Sequence, residues 1–222
     1  MYVEIAKGTP GNRGYLINKN DLGKFINENA LYRSVYLYDD EALKYVEDNG
    51  TLKNYFGVRY IDKIPIDIDK GGNTDEKTLD VLRGVILELE DADITEESFQ
   101  CFFSGSGYHI DLAGKLFNFK SGVDLPYMVK QTLKSLIPDL DSSIYMRTGI
   151  YRVQHTINQK TNLYKIPLYR DEVMNLDAAD ILKLAKVNRS DYKYLGLQGD
   201  GELEHTVKEL SLIHISEPTR PY

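Results

Sequence analysis

The sequence predicts an α/β or α+β fold with a mixed sheet, and three observations lead there. Short runs with period-two alternation of apolar and polar residues sit between amphipathic stretches at helical spacing. The two kinds follow one another along the chain without a strict repeat. With 222 residues, 42% of them hydrophobic, there is enough chain for one substantial domain, or for two small lobes sharing a cleft.

The first sixty residues mix short helical and strand-like stretches. GTPGNRG, residues 8–14, is a turn-rich loop. Asp21 to Asn29 and Asp40 to Asn49 have the look of short helices, and LYRSVYLY between them is a strand. From Val58 the pattern sharpens. IPIDIDK alternates apolar and acidic residues, so as a strand it places its carboxylates on one face. GGNT then breaks the strand and supplies cap residues for a helix along which Leu79, Leu82, Ile86 and Leu89 recur at helical spacing. Phe99 to Phe103 reads as a strand, SGSG as a tight turn and YHIDL as the returning strand. Asp124 to Leu136 is a second amphipathic helix, stopped by Pro138. IYMRTGIYRVQHTI, NQKT and LYKIPL read as strands joined by turns, and Leu176 to Val187 as a last helix.

Composition narrows the function. The net charge of −7 argues against a protein that coats nucleic acid, since phosphate neutralisation supplies most of such a protein's affinity. It is compatible with an enzyme that gathers carboxylates around metal ions and basic residues in one cleft. The single cysteine, Cys101, excludes an internal disulfide framework and a Cys-rich zinc site, and in FQCFF it reads as a small buried hydrophobe. MYVEIAKGTPGNRG lacks the basic-then-apolar pattern of a signal peptide, and no apolar run approaches the roughly 20 residues that span a bilayer. The expectation is a cytoplasmic protein without a membrane partner, in the host cytosol if a virus or plasmid encodes it. SLIHISEPTR, Ser211 to Arg220, looks like a translated transposase sequencing adapter, so residues 211–222 are expected to be a non-native tail and 1–210 the evolved domain.

Three constellations carry chemistry. Asp67 and Asp69, at i and i+2 on a strand, point the same way, and like charges so close favour a cation between them; an all-oxygen site of this kind suits Mg or Mn. The pair fits a solvated strand edge as well. In SGSGYHI the glycines admit a phosphate close to the backbone, Ser104 and Ser106 offer hydroxyls, and His109 adds a charge-assisted bond. A plain two-glycine hairpin has the same sequence. Asp111, on the strand face of His109, either orients the imidazole or is exposed. In the third stretch Asp141 offers another carboxylate, Arg152 a planar fork for a triphosphate and Lys160 a further phosphate contact.

The order and spacing of the three resemble the archaeo-eukaryotic primase superfamily, in its viral and plasmid forms, over roughly residues 58–187. IPIDIDK matches that family's acidic strand, SGSGYHI its small-x-His strand through Gly107 and His109, and DSSIY its third acidic motif. RVQHTINQKTNLYKIPL resembles the Arg-then-Lys segment that follows. The resemblance implies a two-module primase-polymerase fold, with an RRM-like catalytic sheet facing a smaller N-terminal α/β module. It implies a DNA-templated nucleotidyltransferase in which Asp67, Asp69 and Asp141 hold two Mg or Mn ions. Ser104, Ser106, Gly107, His109, Arg152 and Lys160 then bind the nucleotide. Single-stranded DNA template and NTPs or dNTPs are the implied partners, with a replicative helicase, fused or separate, for viral-type relatives. The chain has no zinc site, which many relatives carry. For the template contact Arg33 in LYRSVY is preferred over Lys53 and Arg59.

Overall fold

Strand formation in this chain follows the alternation of its side chains, and the computed structural model shows what that alternation sorts. It describes residues 1–27, 29–138 and 140–189, so the expected tail, 211–222, lies outside the described residues. The first sheet is built from β1 (Tyr2–Lys7), β2 (Tyr15–Asn18) and β3 (Leu31–Tyr38), the last as expected. Between β2 and β3, the expected helix over 21–29 is instead a 3₁₀ segment, Lys19–Phe25, with no fully buried residue. A stretch that buries so little has no apolar stripe to hold a longer α-helix. Helix α1 (Asp40–Asn49) has the expected bounds, because Asp39 caps its first turn and Gly50 closes it in the left-handed conformation.

The second sheet starts with β4 (Lys63–Ile68), followed by α2 (Asp75–Asp91), β5 (Phe99–Phe103) and β6 (Tyr108–Ala113). Helix α3 (Leu125–Leu136) comes next, then β7 (Ile150–Arg152), the short hairpin β8 (Ile157–Asn158) and β9 (Leu163–Tyr164), and β10 (Ile166–Leu168). The long strands expected over 144–157 and 163–168 are therefore broken. Lys165 interrupts the second by turning its side chain into the protein, where it is 1% exposed. The last helix, expected over Leu176 to Val187, is the shorter α5 (Ala178–Leu184), which starts where Asp177 caps it at Asp180 N, and a separate helix that the sequence did not suggest, α4 (Arg170–Asn175), precedes it. Arg83 donates to the carbonyls of Val173 and Leu176, and Arg170 pairs with Glu90, so α2 holds this end of the chain.

The strand orders are β2-β1-β3-β7 and β10-β5-β6-β4. Every pairing within these sheets is antiparallel, so the expected mixed sheet is an α+β arrangement of antiparallel sheets. In the second sheet β4 and β5 run the same way with the returning β6 between them, a split βαβ unit. Its two edge strands carry Pro65 and Pro167, residues that lack the N–H needed to extend a ladder. The first sheet is not purely N-terminal, since β7 completes it 112 residues after β3 ends, as the difference between positions 150 and 38.

Alternation assigns the two faces of the second sheet. Ile64, Ile66 and Ile68 of β4 lie opposite Leu112, Ile110 and Tyr108 of β6, and these face Leu79, Leu82, Ile86 and Leu89 of α2 in the main core. Lys63, Asp67, His109 and Asp111 take the other face, which is turned toward β3 and β7 of the first sheet. No helix among the described residues is long and apolar enough to cross a membrane.

A short tether fixes the third acidic segment to this frame. The hydroxyl of Tyr145 donates to Pro65 O at 2.6 Å, and the Tyr145 carbonyl accepts from the Tyr36 hydroxyl at 3.0 Å. Both tyrosines are buried. Tyr145→Phe is expected to lower unfolding stability by about 1–2 kcal/mol, the cost of a buried polar group losing its partner. Chemical denaturation measures it, and an unchanged midpoint would show that the tether carries no load.

Candidate active site

Strand β4 delivers Asp67 from its inward face and ends at Ile68; Asp69 follows it, and the chain then turns through Gly71 toward α2. Strand β6 delivers His109 directly opposite Asp67 in the register. Its Nε2 lies 3.2 Å from Asp67 Oδ1, and its Nδ1 lies 2.7 Å from the Nζ of Lys165. The Asp67 carboxylate only accepts, so the imidazole proton sits on Nε2 and is donated to Asp67, leaving Nδ1 to accept from Lys165. Lys165 also donates to the Arg152 carbonyl at 2.9 Å. The result is a chain of hydrogen bonds, Lys165 to His109 to Asp67, running from the buried interior to the acidic strand end.

Titration in this chain follows from burial and charge. Burial, then the nearby Lys165, push His109 below its ordinary value, so at neutral pH it is a neutral donor and not the cation expected from the sequence. Burial drives Lys165 itself down to about 7, against the pull of Asp111. Burial tends to raise Asp67, but its hydrogen bond and proximity to His109 outweigh this and hold it below the usual carboxylate range. Asp69 goes the other way: the Asp67 charge raises it first, then burial, with Asp141 adding to the effect. Asp111 is neither exposed nor an orienter of His109, as it is 1% exposed and paired with Lys63 at 2.5 Å.

A cavity of about 210 Å³ opens between the sheets at this point. Asp67, Asp69, Ser104, Ser106, His109 and Arg152 all line it, joined by Tyr32, Tyr151 and Asn158. Arg152 is held by the Ile157 carbonyl and by the ring of Tyr32, 4.8 Å from its guanidinium carbon. The SGSG turn is clamped by the β8–β9 hairpin. Thr161 donates to the Gly105 carbonyl at 2.7 Å, and Asn158 Nδ2 lies 3.5 Å from Ser106 Oγ. Lys160 sits at the tip of the same hairpin, exposed, and near enough to Asp69 to act on its charge.

Three expected residues take other places. Gly107 does not present its N–H to a ligand, because that N–H donates to Ser104 Oγ at 3.2 Å. A Cβ there would stand 2.3 Å from the Ile68 carbonyl, so the small residue lets the turn pack against the end of β4. Arg33 is 6% exposed and ion-paired with Asp62 at 3.0 Å, so it is a buried structural cation and not an open template contact. Arg59 is likewise buried, donating to the carbonyls of Tyr55, Gly57 and Arg147. Asp141 lies at the far side of the Asp67–Asp69 pair from the cavity, with Ser143 N donating to its Oδ1 at 2.8 Å. Among the described residues no three His, Cys, Asp or Glu side chains are gathered closely enough to form a ready cation cage.

Reasoning from the sequence missed Lys165, Asn158, Thr161 and the two tyrosines. Lys165 carried one usable signal, a lysine in an otherwise apolar strand run, LYKIPL. No known protein-family model matches the chain, and no curated protein matches it.

The depressed Lys165 has a consequence for stability. Its folded value, about 7, lies below the roughly 10.4 of an unfolded lysine, so between these values the unfolded chain binds the extra proton. Stability therefore rises with pH through that window, by up to about 1.4 kcal/mol per pH unit from this one group. Lys165→Met is expected to flatten the pH dependence of unfolding between about pH 7.5 and 9. A variant with the wild-type slope would mean that Lys165 titrates as an ordinary lysine.

Proposed function

We propose that this chain is the catalytic core of a DNA-templated nucleotidyltransferase of the primase-polymerase kind. One observation supports the reading above the others. Segments 67–69, 104–109 and 152–158 are far apart in sequence, yet they meet at one inter-sheet cavity lined by two carboxylates, two hydroxyls, an imidazole and a guanidinium. The run β4-α2-β5-β6-α3, a split βαβ unit with a further helix, is the part that resembles an RRM-like sheet; β10 follows only after β7, β8 and β9 and docks beside β5. The sheet β2-β1-β3-β7 is then the facing module.

The donor set suits divalent Mg or Mn. Asp67 and Asp69 would supply oxygen ligands from one strand end, with Asp141 brought in from the far side of the pair to complete the set, and the mutual repulsion that raises Asp69 is what a bound cation would relieve. Such ions, when held there, supply Lewis-acid activation of a 3′-hydroxyl and neutralise charge on the leaving pyrophosphate. The protein's own part is positioning and electrostatics. His109 donates its one Nε2 proton to Asp67 while Lys165 occupies Nδ1, so its part is to orient the carboxylate beside the cavity. Arg152, fixed by Tyr32 and the Ile157 carbonyl, offers its remaining N–H groups to a triphosphate, with the Ser104 and Ser106 hydroxyls beside it. Lys160 adds a cation at the mouth. Exclusion of bulk water by the two sheets strengthens each of these contacts.

Asp69→Asn is expected to reduce metal-dependent nucleotide incorporation on primed single-stranded DNA by on the order of 10³ or more. Its melting temperature should stay level or rise, since the substitution removes a charge that Asp67 and Asp141 disfavour. Incorporation without a primer would select a primase, and incorporation only from a primer a repair-type polymerase. Nucleic-acid binding with no metal-dependent product would leave a non-catalytic RRM-like module, and loss of the DNA itself would mark a nuclease.

A further inference from the structure

A second cavity, of about 240 Å³, adjoins the first through Tyr151 and Arg152, which line both. Its wall carries four cations, Arg33, Lys63, Arg152 and Lys165, against a single carboxylate, Asp111. Arg33 and Lys63 are ion-paired, with Asp62 and Asp111. Lys165 and Arg152 have no carboxylate within ion-pair reach among the described residues; they bond to the His109 imidazole and to backbone carbonyls. Two further polar atoms of this cavity's lining residues are unanswered. The Tyr151 hydroxyl and Asp111 Oδ1 are buried with no hydrogen-bond partner, on residues that are 4% and 1% exposed. Buried polar groups left unpaired are costly, so two at one cavity call for a ligand that answers both. Their roles are opposite. Burial pushes the Tyr151 hydroxyl up to about 12, so at neutral pH it is a donor. Burial tends to raise Asp111, but Lys63 and Lys165 outweigh it and hold the carboxyl below its ordinary range, so Oδ1 is an acceptor.

We propose that this cavity binds free inorganic phosphate as hydrogenphosphate, with Lys165 and the Tyr151 hydroxyl donating to its oxygens and its P–OH donating to Asp111 Oδ1. The Lys165 ammonium has three hydrogens and two acceptors, His109 Nδ1 and the Arg152 carbonyl, so one hydrogen remains for a ligand. Arg33, Lys63 and Arg152 add positive field around it. A bridging water would meet the two polar atoms but leave the excess charge unanswered. Charge selects an anion, and the acceptor at Asp111 then selects among anions. Sulfate carries no hydrogen at neutral pH, and a phosphate monoester, with its second pKa near about 6, has also lost its own. Each would set a bare oxygen against the carboxylate, whereas hydrogenphosphate keeps a hydrogen for it. Among the lining residues Gly23, on the 3₁₀ segment, is exposed, which puts that segment at the mouth and gives a small ion its way in.

Calorimetric titration and thermal unfolding of the full chain are measured with inorganic phosphate, sulfate and glycerol 3-phosphate, at about pH 7.5 and constant ionic strength in chloride. The expected result is one phosphate per chain, raising the melting temperature by about 3–6 °C at roughly ten times its Kd. Sulfate and glycerol 3-phosphate should bind at least about tenfold more weakly. Tyr151→Phe removes an unpaired buried hydroxyl, so without phosphate it should be at least as stable as wild type, and its phosphate affinity should fall by at least about tenfold. Two further variants separate this cavity from the first. A Cβ at Gly23 would meet nothing within 4 Å, so Gly23→Asp adds a carboxylate to the mouth without crowding and should weaken phosphate binding. Ser106→Asp adds one to the first cavity alone and should leave phosphate binding within about twofold of wild type. Equal binding of sulfate or glycerol 3-phosphate would overturn the assignment, as would loss of phosphate binding in Ser106→Asp or wild-type binding in Gly23→Asp or Tyr151→Phe. A melting temperature that follows ionic strength alone would overturn it too. Every readout is binding, so the polymerase reading stands or falls separately.

Discussion

The second sheet turns its charged face inward, and the rest of the structure answers that constraint. Lys63, Asp111, His109 and Lys165 are drawn from adjacent strands into the space between two sheets, where an unpaired charge is heavily penalised. The cations find specific neighbours, Lys63 in Asp111, Lys165 in His109 and the Arg152 carbonyl, and Arg33 in Asp62, while Asp111 Oδ1 and the Tyr151 hydroxyl are buried without a hydrogen-bond partner. Tyr151 of β7 stands at the centre, with the cationic groups of Lys165, Lys63 and Arg33 at 5.1, 5.7 and 5.8 Å from its ring. Three cations around one aromatic face lower the cost of gathering like charges in a dry place. This explains why β7 must join the first sheet although it comes late in the chain. Without it the seam would lose both its aromatic ring and the carbonyl that holds Lys165.

Those elements whose burial pattern matches a single local period were legible in the sequence. LYRSVYLY, DEALKYVEDN and FQCFF fold with the expected bounds, because alternation or capping decides them within one element. Elements decided by distant partners were not. LYKIPL reads as one strand until Lys165 is required to reach His109, 56 positions away. Arg33 has the composition of a nucleic-acid contact, and only the fold brings Asp62 beside it. For the site, the residues that touch a prospective ligand were visible as types: acids, hydroxyls, a histidine and an arginine. The residues that position them, Lys165, Asn158 and Thr161, act through neighbours that sequence spacing does not reveal.

The SGSG turn shows how a weak signal acquires meaning. Two glycines in a hairpin say little alone, since many tight turns need them. Here Gly107 packs against the end of β4 and Gly105 has φ of +97° with Asn158 against it. The turn is thus wedged between the acidic strand and the β8–β9 hairpin. The backbone that carries Ser104 and Ser106 is thereby packed directly against the strand end that carries Asp69. Preorganisation of this kind is what a reaction with little covalent demand on the protein requires.

The two strand-end aspartates differ in kind despite their symmetric spacing. Asp67 faces the neutral imidazole and is stabilised as a carboxylate, whereas Asp69 faces Asp67 and Asp141 and resists ionisation. The difference lies in their neighbours: His109 gives its Nε2 proton to Asp67, while Asp69 meets first the charge of Asp67 itself. On the proposed reading, a divalent cation held between the pair would relieve Asp69 more than Asp67, because Asp69 is the carboxylate that its neighbours disfavour. The same asymmetry would leave Asp67, fixed by the imidazole, as the carboxylate whose place and charge do not depend on a cation.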